Sequence, residues 1–172
     1  MSNERMGPLI SATPGVSPSR LRRLLEGPIV QLGCRLALAA IFLYAAIPKI
    51  AEPGAFAVDI ANYRILPAEL VHPLAVTLPW IELVAAILLV VGVWTRAAAL
   101  LCGLMLLVFI AGMAGAVARG LDIACGCFGT SEDGEAIGWG TVARDFLFIL
   151  PAIVVVSWDR GRYGLQALWR RE

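Results

Sequence analysis

The chain has 172 residues, 59% hydrophobic and only 16% charged, with a mean hydropathy of +0.80. Soluble domains carry about 25% charged residues, so this composition points to a membrane protein and away from an ordinary soluble domain. A net charge of +1 provides no field to recruit nucleic acid, and four cysteines are too few for a disulfide scaffold.

Residues 1–26 combine Pro8, Pro14 and Pro18 with several serines and with Arg20, Arg22 and Arg23. Such a segment cannot bury enough apolar surface to fold alone and reads as a flexible tail. The Arg22-Arg23 pair lacks the remainder of a twin-arginine export signal. No A-x-A-like cleavage site follows the first apolar run, so an uncleaved anchor is expected.

Crossing roughly 30 Å of hydrocarbon takes about 20 mostly apolar residues as a helix. Four runs meet or approach that length: Ile29–Ile47, Leu74–Trp94, Ala97–Ala118 and Thr141–Trp158. They predict an all-α integral membrane protein, a bundle of four transmembrane helices over residues 28–158, followed by a basic tail at 159–172. Only Thr95 and Arg96 separate the second and third runs, which predicts a tight helical hairpin. Between Pro53 and Pro67, Phe56, Ile60 and Tyr63 recur at helical spacing with Asp59 and Arg64 among them. A short amphipathic helix is expected there, lying on the membrane surface or packed on the bundle.

Lysine and arginine set the orientation. Nine fall in the N-terminal tail, at Arg96 and in the C-terminal tail, against three (Lys49, Arg64, Arg119) in the two opposite loops. Both termini are therefore expected in the cytoplasm of a bacterial cell, with loops 48–72 and 119–140 on the periplasmic side of the inner membrane. Trp80 and Trp139 lie toward that outer side, Trp94 and Trp158 toward the inner one.

Several charges fall where the bilayer disfavours them. Only 13 uncharged residues separate Arg35 from Lys49, about 20 Å of helix, and 13 separate Asp145 from Asp159. Arg35 is expected to snorkel to the cytoplasmic face, leaving Lys49 near the outer edge, with Arg144 and Asp145 drawn to the outer leaflet. Glu82 lies 12 residues before Trp94, about 18 Å above the inner interface. A carboxylate at that depth requires a partner, and Lys49 or Arg144 is expected to supply it. The pair either fixes helix packing or tunes chemistry nearby.

That chemistry points to Cys125-Gly126-Cys127, in a short polar loop on the expected outer side. Thiols in an oxidising compartment pair or do redox work. A disulfide between residues i and i+2 closes a very small ring, and its strain favours exchange over static stapling. Three readings stay open: a redox pair, a static loop disulfide, and transient binding of a soft ion such as Cu(I). His72 is the only histidine, so a four-ligand zinc site is not expected. Cys34 and Cys102 fall at similar depth at the cytoplasmic ends of their helices. They are either a second pair or ordinary small apolar residues.

These motifs together resemble the methylamine-utilisation MauE family, within the broader DoxX-like group of four-helix membrane proteins. The resemblance is carried by Ile47-Pro48-Lys49-Ile50, Pro53, Phe56, Tyr63-Arg64-Ile65-Leu66-Pro67, Leu78-Pro79-Trp80-Ile81-Glu82-Leu83 and Cys125-Gly126-Cys127-Phe128-Gly129, over residues 28–158. It implies a role in maturing the small (beta) subunit of methylamine dehydrogenase, a disulfide-rich client, with a periplasmic thioredoxin-like partner. Cys125 and Cys127 would then be the redox pair, with Lys49 and Glu82 tuning it. The expected function is a thiol–disulfide relay at the lipid bilayer. The alternatives are a non-enzymatic assembly factor and a thiol oxidase coupled to a bound quinone.

Overall fold

In hydrocarbon every backbone N–H and C=O must find its partner within the protein, and a helix does so within one segment. The four apolar runs fold accordingly. The computed structural model describes residues 25–121, 123 and 137–159. Four helices in it are long and apolar enough to cross a membrane: α1 (Pro28–Ala51), α3 (Ala68–Val91), α4 (Thr95–Ala118) and α5 (Trp139–Trp158). A short α2 (Pro53–Asn62) lies between α1 and α3. Most of the two tails, residues 1–24 and 160–172, and the Cys125-Gly126-Cys127 run are outside the described residues.

The helix limits depart from the apolar runs for identifiable reasons. Helix α3 begins six residues before Leu74 and tolerates Pro73 and Pro79 inside it. It stops at Val91, short of the expected Trp94, because Gly92 turns left-handed at φ 78°. The Gly92 and Val93 N–H groups both donate to the Leu88 carbonyl, at 2.9 and 3.2 Å, closing the helix end. Trp94 is also left-handed, at φ 49°, so the hairpin turn is Gly92–Trp94, and Thr95 and Arg96 already belong to α4.

Around the bundle, α1 packs on α3 and α5, and α4 packs on α3 and α5, giving the ring order α1–α3–α4–α5. Leu38, Phe42, Leu89, Cys102, Met105, Leu106 and Val155 fill the centre, and Ala39, Ala85, Ala86, Ala98, Ala99 and Ala152 let the backbones approach. The outward faces carry Ile87, Val108 and Leu147, a surface suited to lipid. Helix α2 turns Phe56 and Ala57 onto Val71 and Ala75 of α3 and leaves Val58 exposed, so its apolar stripe is spent on the bundle.

The same end of the bundle, called here the α2 end, carries the connection from α4 to α5. Gly120, left-handed at φ 67°, turns the chain out of α4. The Ile137 N–H then donates to the Ile123 carbonyl at 3.0 Å, pinning together the two ends of residues 124–136. At the start of α5, the Gly138 N–H donates to Thr141 Oγ1 at 2.9 Å, and the Thr141 hydroxyl donates to the Gly138 carbonyl at 2.7 Å.

Two glycines should respond oppositely to alanine. A methyl group at Gly33, inside α1, would meet nothing within 4 Å, so Gly33→Ala should be neutral or stabilise by about 0.5–1 kcal/mol. Gly92→Ala forces a β-carbon into the left-handed turn and should destabilise by about 1–2 kcal/mol. Unfolding titrations in mixed micelles would measure both.

Candidate functional site

Lys49 sits in the last turn of α1 with its side chain directed into the bundle, and Glu82 faces it from the middle of α3. Lys49 Nζ donates to both Glu82 carboxylate oxygens, at 2.9 and 3.1 Å, and the two residues are 2% and 1% exposed. Removing two such ions from water costs several kcal/mol each, which only close, bidentate contact and further polarisable partners can offset. The rings of Phe56 and Phe109 supply those partners, with centroids 5.0 and 4.9 Å from Nζ. Four segments thus converge on one ammonium group: α1 carries it, α2 and α4 face it with rings, and α3 neutralises it.

Beside the pair is a cavity of about 30 Å³ whose charged lining is Lys49, Glu82 and Asp145. Ile41, Phe42, Ala45, Leu106 and Phe109 form its apolar walls. Asp145, 2% exposed, accepts from Arg144 Nε at 3.2 Å, while Arg144 itself is half-buried at the rim. Beyond Ile41 an open groove of about 480 Å³ runs between α1 and α5, lined also by Ala40, Tyr44, Arg144 and Phe148.

Tyr63 and Asp59 extend the cluster toward the α2 end. Asp59 is 2% exposed. Burial, and then the negative charges of Asp59 and Asp145, push the Tyr63 phenol up to about 12. Arg119 Nη2 donates to the Tyr63 carbonyl at 2.7 Å and Arg119 Nε to the Gly115 carbonyl at 3.0 Å, tying the end of α4 to the segment after α2. Tyr63 and Ile137 pack on the same small cluster of Ile110, Met113 and Val142. The base of the 124–136 segment therefore rests on the residue that senses both buried aspartates.

A second set of buried charges occupies the hairpin end. Arg35 is 4% exposed and Asp159 5%, and Asp159 is the charge acting on Arg35. Arg96 Nε donates to the Asp159 carbonyl at 2.7 Å. This corrects the expectation that Arg35 snorkels outward. Its guanidinium turns into the bundle, where a carboxylate compensates it, and the apolar stem never reaches the surface.

Of the residues singled out in the sequence, Lys49 and Glu82 are brought together, and Arg144 pairs with its neighbour Asp145. Cys125 and Cys127 lie outside the described residues, although Ile123 and Ile137 show where their segment is anchored. Cys34 and Cys102 carry no disulfide; Cys102 is buried in the main core, and Cys34 packs against it. His72 is exposed on α3. The buried role of Asp59 was missed. Its signal was position: Phe56, Asp59, Ile60 and Tyr63 fall at i, i+3, i+4 and i+7, which places a carboxylate on the apolar stripe of α2.

Residues 27–158 match the family model described as methylamine utilisation protein MauE. Among curated relatives, the methylamine utilization protein MauE of Methylophilus methylotrophus is 34% identical over 125 residues, covering 72% of this chain and 66% of that protein. The protein of the same name from Paracoccus denitrificans is 33% identical over 150 residues, covering 81% of this chain and 80% of the relative. That of Methylorubrum extorquens is 37% identical over 130 residues, covering 75% and 69%. No solved structure matches the chain.

Breaking the ion pair should cost far more than removing it. Lys49→Met alone should destabilise by about 3–5 kcal/mol, whereas Lys49→Met with Glu82→Leu should recover most of that loss. A double-mutant cycle by denaturant titration in micelles reads the difference. Tyr63 gives an alkaline signature. Because the folded protein holds the phenolic proton more tightly than the unfolded chain, this contribution is present below about pH 10 and is lost toward about pH 12. Tyr63→Phe should flatten the stability profile in that window and remove a tyrosinate that titrates at about pH 12 from the absorbance curve.

Proposed function

The chain belongs to the MauE family, and on that premise we propose that it is a multi-pass membrane protein of methylamine utilisation that supports thiol–disulfide exchange on a periplasmic client. The observation that carries this reading is the anchoring of the segment with Cys125 and Cys127. Its ends are joined by the Ile137–Ile123 hydrogen bond and rest, through Tyr63, on the buried charge cluster. Holding the two ends of a thiol-bearing segment together, on a base that rests on buried charged groups, suits thiol exchange.

In this reading both termini are cytoplasmic and the two loops face the periplasm, as the lysine and arginine distribution favours. Cys125 and Cys127 cycle between dithiol and disulfide. When one cysteine thiolate attacks a partner's disulfide, a mixed disulfide forms and the partner's second sulfur leaves as a thiolate. The other cysteine then attacks the mixed bond and releases the reduced partner. Two electrons and two protons pass from one thiol pair to the other, so the exchange balances without a further oxidant. A thioredoxin-like protein fits that partner role, and the small subunit of methylamine dehydrogenase fits as the client. Lys49 and Glu82 act as positioning residues that keep the cluster beneath the loop neutral and fixed.

A second reading is favoured by the groove between α1 and α5. The groove is mostly apolar, counts Tyr44 and Arg144 among its lining, and has a volume within the usual range for small-molecule sites. A quinone there would take the electrons from the thiol pair and make the protein a membrane thiol oxidase.

The decisive measurement is trapping. Cys127→Ser should accumulate a mixed disulfide between Cys125 and the thioredoxin-like partner, visible on non-reducing gels and lost on reduction, and should lower client oxidation in cells. If client oxidation is unchanged in both single variants and in the double variant, the exchange reading fails. Client that still co-purifies with the double variant would then support a non-enzymatic assembly factor, and a quinone retained on purification would support the oxidase.

A further inference from the structure

We propose that the groove between α1 and α5 is a phospholipid site, in which an acyl chain lies along α1 and the headgroup phosphate sits on Arg144. This goes beyond the exchange reading, and it competes with a quinone for the same groove.

Three observations carry it. The first is how α5 divides its charges. Arg144 lines the groove, while its neighbour Asp145 lines the inner cavity beside Lys49 and Glu82. The contact between Arg144 Nε and Asp145 Oδ1, at 3.2 Å, runs between these two sides. Helix α5 therefore shows a cation to the groove and an anion to the interior. Asp145 fixes the guanidinium, and a phosphate on the groove side extends the pair into a carboxylate–guanidinium–phosphate chain, which suits the planar fork of arginine. A quinone head has no formal charge to complement that cation.

The second is height. Arg144 lies five residues into α5 from Trp139, about 7.5 Å of rise. Trp139 opens the helix and is 66% exposed, the setting in which an indole marks the membrane–water boundary. Helical side chains lean toward the N-terminus of their helix, here toward Trp139, which brings the guanidinium within reach of the headgroup layer.

The third is the shape below that point. Ile41 and Phe148 line the groove and pack on the main core, so it is a trough on the flank of the bundle and not a passage into it. Gly33, Ala37, Ala40 and Tyr44 are exposed, except as noted for the groove they share at Ala40 and Tyr44, and fall within about 60° of one another around α1. From Ala40 to Gly33 that arc carries small side chains over about 10 Å of helix, a shallow track in which a hydrocarbon chain can lie.

Native mass spectrometry of the full-length protein in mild detergent, followed by thermal-shift titration after delipidation, tests this. The probes are dioleoyl phosphatidylglycerol, dioleoylglycerol with the same chains and no phosphate, and glycerol phosphate with no chains. Phosphatidylglycerol should be retained at one per chain and should stabilise on re-addition. Dioleoylglycerol should bind roughly tenfold or more weakly, and glycerol phosphate should not stabilise. Ala40→Phe fills the groove from an exposed position and should abolish the retained lipid. Arg144→Gln should weaken binding roughly tenfold or more, with Arg144→Lys recovering part of it. Should Arg144→Gln fail to fold, Arg144→Gln with Asp145→Asn removes both charges of the pair and should show the same loss. Binding unchanged by both Ala40→Phe and the Arg144 variants overturns the proposal. So does stabilisation by glycerol phosphate equal to that by phosphatidylglycerol, or a retained quinone that phosphatidylglycerol does not displace. Cys125→Ser with Cys127→Ser separates this from the exchange reading: the lipid should be retained without either thiol, and its loss there also overturns the assignment.

Discussion

The ion pair between Lys49 and Glu82 is the constraint on which the α2 end of the bundle depends. Two charges at near-zero exposure are tolerable only while every wall around them stays in place. Phe56 must be on α2, Phe109 on α4, and α3 must present Glu82 at the level where α1 ends. This explains why α2 folds back onto α3 instead of trailing through the loop. Its apolar stripe delivers one of the two rings over the ammonium, and its carboxylate, Asp59, enters the cluster on the same face. The pair contributes little more net stability than an apolar substitute would, but it sets which segments must meet and in what register.

Much of this was legible in the sequence because a bilayer turns length into depth. Four apolar runs gave four helices, and counting residues from Trp94 placed Glu82 deep enough to require a partner, which Lys49 proved to be. Hydropathy does not register that Gly92 adopts a left-handed turn, so the hairpin was drawn two to three residues late. Nor does it register that α3 continues through Pro73 and Pro79, since tolerance of proline depends on neighbours rather than on the segment itself. Arg35 was assigned to the surface because a long side chain can reach it. The structure turns it inward because a carboxylate waits there, and that choice rests on a partner 124 positions away.

That partner was nevertheless recorded in a spacing. Arg35 and Lys49 are 14 residues apart on α1, and Asp145 of α5 and Asp159, which caps that helix, are also 14 apart. Fourteen residues are four turns at 3.5 per turn, the period that keeps a face directed at a packed neighbour, and amount to about 21 Å of rise. Because α1 and α5 pack directly and antiparallel, two cations on one and two carboxylates on the other fall at the same two levels. Helix α3 completes the upper level with Glu82 and α4 the lower with Arg96. Each level alone reads as an anomaly in an apolar helix, but the two together form a register device.

The device has a consequence for how the ends of the molecule communicate. About 21 Å is shorter than the roughly 30 Å of hydrocarbon, so the two levels cannot both sit in water, and inward-facing compensation is the arrangement that tolerates this. A sliding of α5 against α1 would separate charges at both levels at once. The helices are thereby held against translation, while the apolar slab between the levels, Leu38, Phe42, Leu89, Cys102 and Leu106, carries no polar group that could resist small rotations. Ile137, where the 124–136 segment ends, inherits this stiffness, because it leads into α5 and packs on the same cluster as Tyr63 above the upper level. Whatever chemistry its thiols perform is therefore presented from a base whose height is fixed by electrostatics and whose azimuth is left to packing.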